Sequence, residues 1–305
     1  MDFEILINST FSDINTDSTL NPVDNKSVIS MINNFEATKW RYNHFQNFIW
    51  DNIAETSLSH RERESLVNSH HSLLTYAAKN LRLSDKSGDI SKGSEIAEIV
   101  LYAIMNHHFN ALPVVPKIFY KQNAQDNAKG ADSVHIIIEN HTDFSIWFGE
   151  AKFYNSIEDA RLPEIISSVE NSLLTEKLKK ENSIITNLPD IDSLIGDEAL
   201  RNSIKSALSP RESIDFIKPK LHIPILLLHE CEITQRQTVI SDDYKNELNA
   251  YHKNRAESFF KKQLNKIGGI PHYSQIKFHL ILFPVPLKKT IVDKFVSMAD
   301  FYKNS

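Results

Sequence analysis

The chain has 305 residues, 41% of them hydrophobic and 24% charged, enough for one large or two modest domains around a sizeable core. Its formal net charge is -5, which argues against a broadly basic nucleic-acid binder; any DNA handling needs locally sorted charge or a partner that supplies grip. Seven glycines without a Walker or dinucleotide fingerprint exclude the common phosphate loops, and the one cysteine, Cys231, excludes an internal disulfide and a multi-cysteine zinc site.

In chain order, residues 3–7 predict a short strand and residues 8–26 a polar loop. From 27 to 82 the pattern reads as helical, with Trp40, Phe45, Phe48, Ile49 and Ile53, then Leu66, Leu73, Leu74 and Ala77 at helical spacing. Residues 83–92 are the best boundary, dividing a mainly helical N-terminal region (1–90) from a second domain (91–305). The aromatics Trp40, Tyr42, Phe45, Phe48 and Trp50 suit both a core and a partner interface.

The second part predicts a helix over 94–108 ended by Pro113 and Pro116, a strand near 117–122, a polar loop over 123–130, and strands over 131–138 and 144–154. A long helix over 157–181, a helix near 197–207 and a buried strand over 221–229 follow. The chain closes with a helix over 243–266, a strand over 275–283 and a helix over 288–302. Cys231, after the apolar 221–229 run, reads as a small buried hydrophobe, and Glu176-Lys-Leu-Lys-Lys-Glu181 as a solvated helix face. No H-E-x-x-H spacing occurs, and most of the thirteen histidines read as surface or satisfied core residues. No apolar run approaches the ~20 residues of a membrane helix, and no basic-then-apolar leader opens the chain, so a soluble cytoplasmic protein without membrane contact is expected. The order from 94 to 229, α-β-β-β-α-β, defines an α/β (α+β) fold with a mixed sheet flanked by helices.

Gly130-Ala-Asp-Ser-Val-His-Ile-Ile-Ile138 and Phe144-Ser-Ile-Trp-Phe-Gly-Glu-Ala-Lys-Phe-Tyr154 carry the chemistry. Glu150 and Lys152 sit two apart in a strand and share a face. A hairpin centred on His141 sets Asp132 opposite Glu150, and the same register sets Val134, Ile136 and Ile138 opposite Phe148, Ile146 and Phe144 as one apolar patch. Two carboxylates at that spacing repel each other, and a Mg²⁺ or Mn²⁺ ion with oxygen ligands relieves the conflict. A lysine beside them can orient or help deprotonate a water and stabilise charge on a phosphate. The competing reading is a solvated Asp/Glu–Lys cluster on a sheet.

Asp132 followed by Glu150-Ala151-Lys152 resembles the active-site signature of the PD-(D/E)xK nuclease superfamily, with Ala131 where the usual proline stands. Ser94-Glu-Ile-Ala-Glu-Ile-Val-Leu-Tyr102, Lys129-Gly-Ala-Asp132 and Trp147-Phe-Gly-Glu-Ala-Lys-Phe-Tyr154 resemble, more closely, the HamA nuclease family of the Hachiman anti-phage system, over about residues 93–180. The resemblance implies a restriction-endonuclease-like core and a bacterial defence effector that cuts DNA when licensed by a helicase subunit, HamB. Many superfamily members carry a further glutamate on the first core helix; Glu98 is favoured here and Glu95 stays open, with Ala97 where a glycine often precedes that residue. The candidate catalytic residues are Asp132, Glu150, Lys152 and Glu98. The candidate metal contacts are Asp132, Glu150, Ala151, Glu98 and Glu95. Lys129 is a candidate phosphate contact, and Arg161 and Glu164, opening the helix after the motif, could face substrate. Two alternatives remain at this point: a non-catalytic subunit that holds DNA or the helicase, and a stand-alone restriction or repair nuclease.

Overall fold

Segments rich in Ile, Leu, Val and Phe pair into one mixed sheet in a computed structural model that describes residues 3–15, 17, 19–82, 93–120, 130–140, 143–187 and 190–305. Its strands are β1 (Glu4–Thr10), β2 (Lys26–Ile32), β5 (Leu112–Val115), β6 (Ser133–Asn140), β7 (Asp143–Tyr154), β8 (Leu221–Glu230) and β9 (Lys277–Val285). They lie in the order β1-β2-β9-β8-β7-β6-β5, while β3 (Phe35–Glu36) and β4 (Lys39–Trp40) form a separate small hairpin. The middle of the sheet, β2-β9-β8-β7, is parallel, and antiparallel pairs close both edges. The helices that pack on it are α1 (Tyr42–Ser57), α2 (His70–Lys79), α3 (Ser94–Phe109), α4 (Leu162–Ser172), α5 (Thr175–Asn187), α6 (Glu198–Ala207), α7 (Asp242–Ile267) and α8 (Lys288–Lys303).

Period-2 alternation along β7 sorts its side chains between two cores. Ile146 and Phe148 join Val134 and Ile136 of β6 against Ile165, Ile166 and Val169 of α4 and Phe259 and Phe260 of α7. Trp147, Ala151 and Phe153 face the other way, against Ile96, Val100, Leu101 and Ile104 of α3, Phe45, Ile49 and Ile53 of α1, and Phe295 of α8. The aromatics before residue 83 are therefore largely core: Phe45 meets Phe283 and Trp50 meets Phe295 at centroid distances of 5.3 and 5.2 Å. Residues on both sides of the 83–92 segment share one sheet and one core.

Several elements depart from expectation. Lys26–Ile32 is a strand, not helix; both of its faces are covered, so no alternation marks it, and its apolar run is ambiguous in sequence. The strand expected near 117–122 lies earlier, at Leu112–Val115, and Lys117–Tyr120 is a helical turn. Pro113 is tolerated because β5 is an edge strand, and Pro116 precedes the turn that its fixed φ favours. The single helix expected over 157–181 is two, α4 and α5, parted at Leu173-Leu174; Pro163 starts the first late. Residues 35–40, read as helical, form the β3–β4 hairpin, and Phe11–Ile14 is a helical turn inside the expected 8–26 loop. The other expected helices and strands fall within a few residues of their positions, and Cys231 is buried, its thiol pushed up by burial. The 83–92 boundary, most of the 123–130 loop, Lys129 and His141 lie outside the described residues.

Candidate active site

β6 and β7 pair in the register expected for a hairpin centred on 141: Val134↔Phe148, Ile136↔Ile146 and Ile138↔Phe144. The ladder continues one step past the start of β6. The Asp132 N–H donates to the Gly149 carbonyl at 2.7 Å, and the Ala151 N–H donates to Asp132 Oδ2 at 3.1 Å. Asp132 is thus fastened to the strand that carries Glu150 and Lys152. On the other side, the parallel β7–β8 register runs Ile146↔Leu221 and Trp147↔His222, then resumes at Glu150↔Ile225. The gap falls at Pro224, which has no N–H to donate. A Cβ on Gly149 would stand 2.2 Å from Ser133 Oγ and 2.7 Å from Leu101, so only glycine fits beside Glu150.

The side chains of Asp132, Glu150 and Lys152 open into one cleft of about 500 Å³, together with Gly130, Ser168, Asn171, Ser172 and Lys177. Glu150 is 4% exposed, and Lys152 is half-buried. No described residue bonds the ammonium of Lys152. The far wall comes from the α4–α5 pair, where Ser168, Asn171 and Ser172 recur at helical spacing beside the buried stripe of Ile165, Ile166 and Val169. That polar stripe is legible in sequence once α4 is placed; Lys177 is not, because its charged run reads as solvent-facing. The structure corrects that reading: Lys177 lines the cleft, and Glu181 is 3% exposed. Glu181 accepts two hydrogen bonds from the Lys117 ammonium, at 2.7 and 2.6 Å, and Lys117 is 1% exposed. The carboxylate also presses on Gly130, where a Cβ would stand 1.7 Å from its Oε1.

Glu98 and Glu95 sit on α3, across the sheet from the cleft, and neither lines it. Glu98 is buried, whereas the carboxylate of Glu95 accepts the Arg82 N–H at 2.9 and 3.2 Å. Arg161 and Glu164 are exposed at the start of α4 and are not part of the cleft wall. Among the described residues no group of three or more His, Cys, Asp or Glu side chains is arranged to hold a metal ion. The donor set that does converge is all oxygen, the carboxylates of Asp132 and Glu150, while Ala151 is not among the residues lining the cleft. That chemistry fits Mg²⁺ or Mn²⁺, because Mg²⁺ commonly takes one or two carboxylates and fills its shell with water and substrate oxygens.

Fold and cleft together define an α/β protein whose mixed seven-strand sheet presents two carboxylates and a lysine at one end of a hairpin. The HamA family model matches residues 7–299, nearly the whole chain, and the chain belongs to that family, the one associated with Hachiman anti-phage defence. A search of curated proteins found no match. Among the described residues no helix is long and apolar enough to cross a membrane.

Proposed function

We propose that this protein is a metal-dependent DNA endonuclease of the PD-(D/E)xK type, the cutting component of a cytoplasmic defence system controlled by the helicase HamB. The observation that carries this reading is the convergence of Asp132, Glu150 and Lys152 in one cleft by hairpin register. Asp132 and Glu150 would hold Mg²⁺ or Mn²⁺. When bound, such an ion supplies positive charge at the phosphoryl oxygens and lowers the pKa of a water. Lys152, with no described partner for its ammonium, orients the attacking water, assists its deprotonation and stabilises charge on the phosphate. Neither helix glutamate, Glu98 or Glu95, enters this reading, since neither lines the cleft. Lys129, which lies outside the described residues, stays a candidate phosphate contact by its place in the sequence three residues before Asp132.

The helicase arm of the reading rests on the net charge of -5, which leaves much of the DNA grip to a partner. The region before residue 83 offers a surface for that partner, with Val67 and Tyr76 62% and 54% exposed. A co-complex in which residues 1–90 touch no partner atom would remove that surface from the proposal.

Plasmid nicking by the purified chain, alone and with its helicase subunit, beside a pull-down on the same preparation, tests the function. Lys152→Ala and Glu150→Gln abolish cleavage and leave folding and partner binding intact. Wild-type cleavage by the double variant would refute the assigned site, and unchanged cellular protection would show that cutting is not the effector activity.

A further inference from the structure

Lys177 and Glu181 stand four apart on α5, the spacing at which a lysine and a glutamate ordinarily pair across one helical turn. Here they do not pair. Both oxygens of Glu181 are taken by Lys117, in a contact almost wholly closed to solvent, and the same carboxylate is wedged against Gly130. The ammonium of Lys177 has no hydrogen-bond or ion-pair partner among the described residues, although the side chain is half-buried and lines the cleft. Asn171 and Ser168, on the neighbouring turn of α4, likewise spend neither amide nor hydroxyl on a described residue. The wall facing Asp132 and Glu150 therefore presents uncommitted donors: an ammonium, an amide and a hydroxyl.

The wall is also anchored to elements on the carboxylate side of the cleft. Lys117 follows β5, Glu181 belongs to α5, and Gly130 lies two residues before Asp132. One buried ion pair thus ties the helix carrying Lys177 to the turn after β5, and the same Glu181 carboxylate lies against Gly130, two residues before Asp132. Removing two charges from water is costly relative to an apolar pair of equal volume, and such pairs are best attested where they fix a geometry.

We propose that Lys177, with Asn171 and Ser168, holds a backbone phosphate of the bound strand next to the one being cut. This rests on the phosphodiesterase reading of the cleft. A cleft with two carboxylates on one wall repels a polyanion, and a cation on the opposite wall offsets that repulsion away from the reacting atoms. An ammonium, an amide N–H and a hydroxyl are the donors that bind phosphate oxygens without reading base sequence. The Lys177 contact is a point charge, so it adds affinity and register rather than sequence specificity.

The test uses the preparation assayed for nicking and a short fluorescein-labelled DNA duplex, titrated by anisotropy in Ca²⁺ buffer over a potassium chloride series. Initial cleavage rates in Mg²⁺ are measured against plasmid concentration on the same variants. Lys177→Ala binds about tenfold more weakly, as loss of one charge-assisted contact requires, and its log–log salt slope falls by about 1. Its KM rises while kcat stays close to wild type, and Lys177→Arg restores the slope. Lys177→Gln, which keeps the length of the side chain, separates charge from packing. An unchanged affinity and slope in Lys177→Ala and Lys177→Gln overturns the proposal, and so does a fall in kcat at constant KM. If Lys152→Ala still cuts at wild-type rate while Lys177→Ala raises KM, the phosphate wall stands and the catalytic assignment falls. A wild-type chain that neither binds nor cuts DNA overturns both.

Discussion

The main chain of Ala151 holds the carboxylate of Asp132: its N–H donates to Asp132 Oδ2 at 3.1 Å, across the open end of the β6–β7 hairpin. That bond separates two roles of Asp132. Asp132→Asn keeps an oxygen that can accept from Ala151 but loses the charge a cation needs, so it folds like wild type and cuts at least about a hundredfold more slowly. Asp132→Ala also strands the Ala151 N–H, which costs about 1–3 kcal/mol of stability. Urea unfolding of the two variants, beside plasmid nicking, reads both effects. Equal stability of the two variants would show that the hydrogen bond contributes nothing to the hairpin.

The Lys117–Glu181 pair is expected to be expensive to break and cheap to replace. Lys117→Met or Glu181→Leu alone leaves one buried charge uncompensated and costs roughly 3–5 kcal/mol, whereas the double replacement costs much less than the sum. Gly130→Ala drives a Cβ into the Glu181 carboxylate and destabilises through the same contact. A double-mutant cycle by chemical denaturation measures the coupling; additive single-mutant costs would mean that the pair is not a unit.

The proposed nuclease reading, with two carboxylates in the cleft, predicts metal dependence. Mg²⁺ and Mn²⁺ support cleavage, and Ca²⁺ binds and competes but supports little, because its looser and higher coordination activates water poorly. Isothermal titration of each ion into wild type and Glu150→Gln, with cleavage assayed in parallel, checks this. Full activity in excess EDTA is incompatible with it.

Acid stability is governed by histidines that the fold keeps neutral. Burial pushes His135 and His279 down to about 3 and His222 and His229 to about 4, and His252, which contacts His229 Nε2 to Nε2 at 3.2 Å, goes down as well. The unfolded chain protonates these rings near pH 6.5, the folded chain only well below that, so the unfolded state binds more protons throughout the interval. Their contribution to stability is complete above about pH 6.5 and is lost as pH falls from there towards 4, at up to about 1.4 kcal/mol per pH unit for each ring. Urea midpoints measured from pH 7.5 to pH 4.5 show that slope, and His135→Leu flattens it. A midpoint independent of pH over this range would contradict the buried neutral state.

Sequence patterns reveal the site better than the sheet that carries it. Opposing Asp132 to Glu150 needs only the parity of Val134, Ile136 and Ile138 against Phe148, Ile146 and Phe144, since a slip of one residue would turn those side chains to the other core. β2 has no such signal, because Val28 and Ile29 are both buried on opposite faces. The roles of Lys177 and Glu181 depend on Lys117, which is 64 residues from Glu181, and no local charge pattern encodes a partner at that distance. The break between α4 and α5 has no proline or glycine to announce it. Leu173 is buried and Leu174 is 45% exposed, so the turn is set by packing rather than by propensity.

β9 lies between β2 and β8, and β2 leaves the ribosome long before either of them. Until residues 277–285 are synthesised, β1 and β2 have no edge to dock on, and the strands bearing the carboxylates lack the neighbour that backs β8. The sheet therefore closes late, by contacts about 250 residues apart, such as Val28 with Leu280. A ribosome that stalls before β9 releases a product without a completed sheet. The cleft therefore acquires its full support only once β9 has been made, long after the strand that carries Glu150 and Lys152.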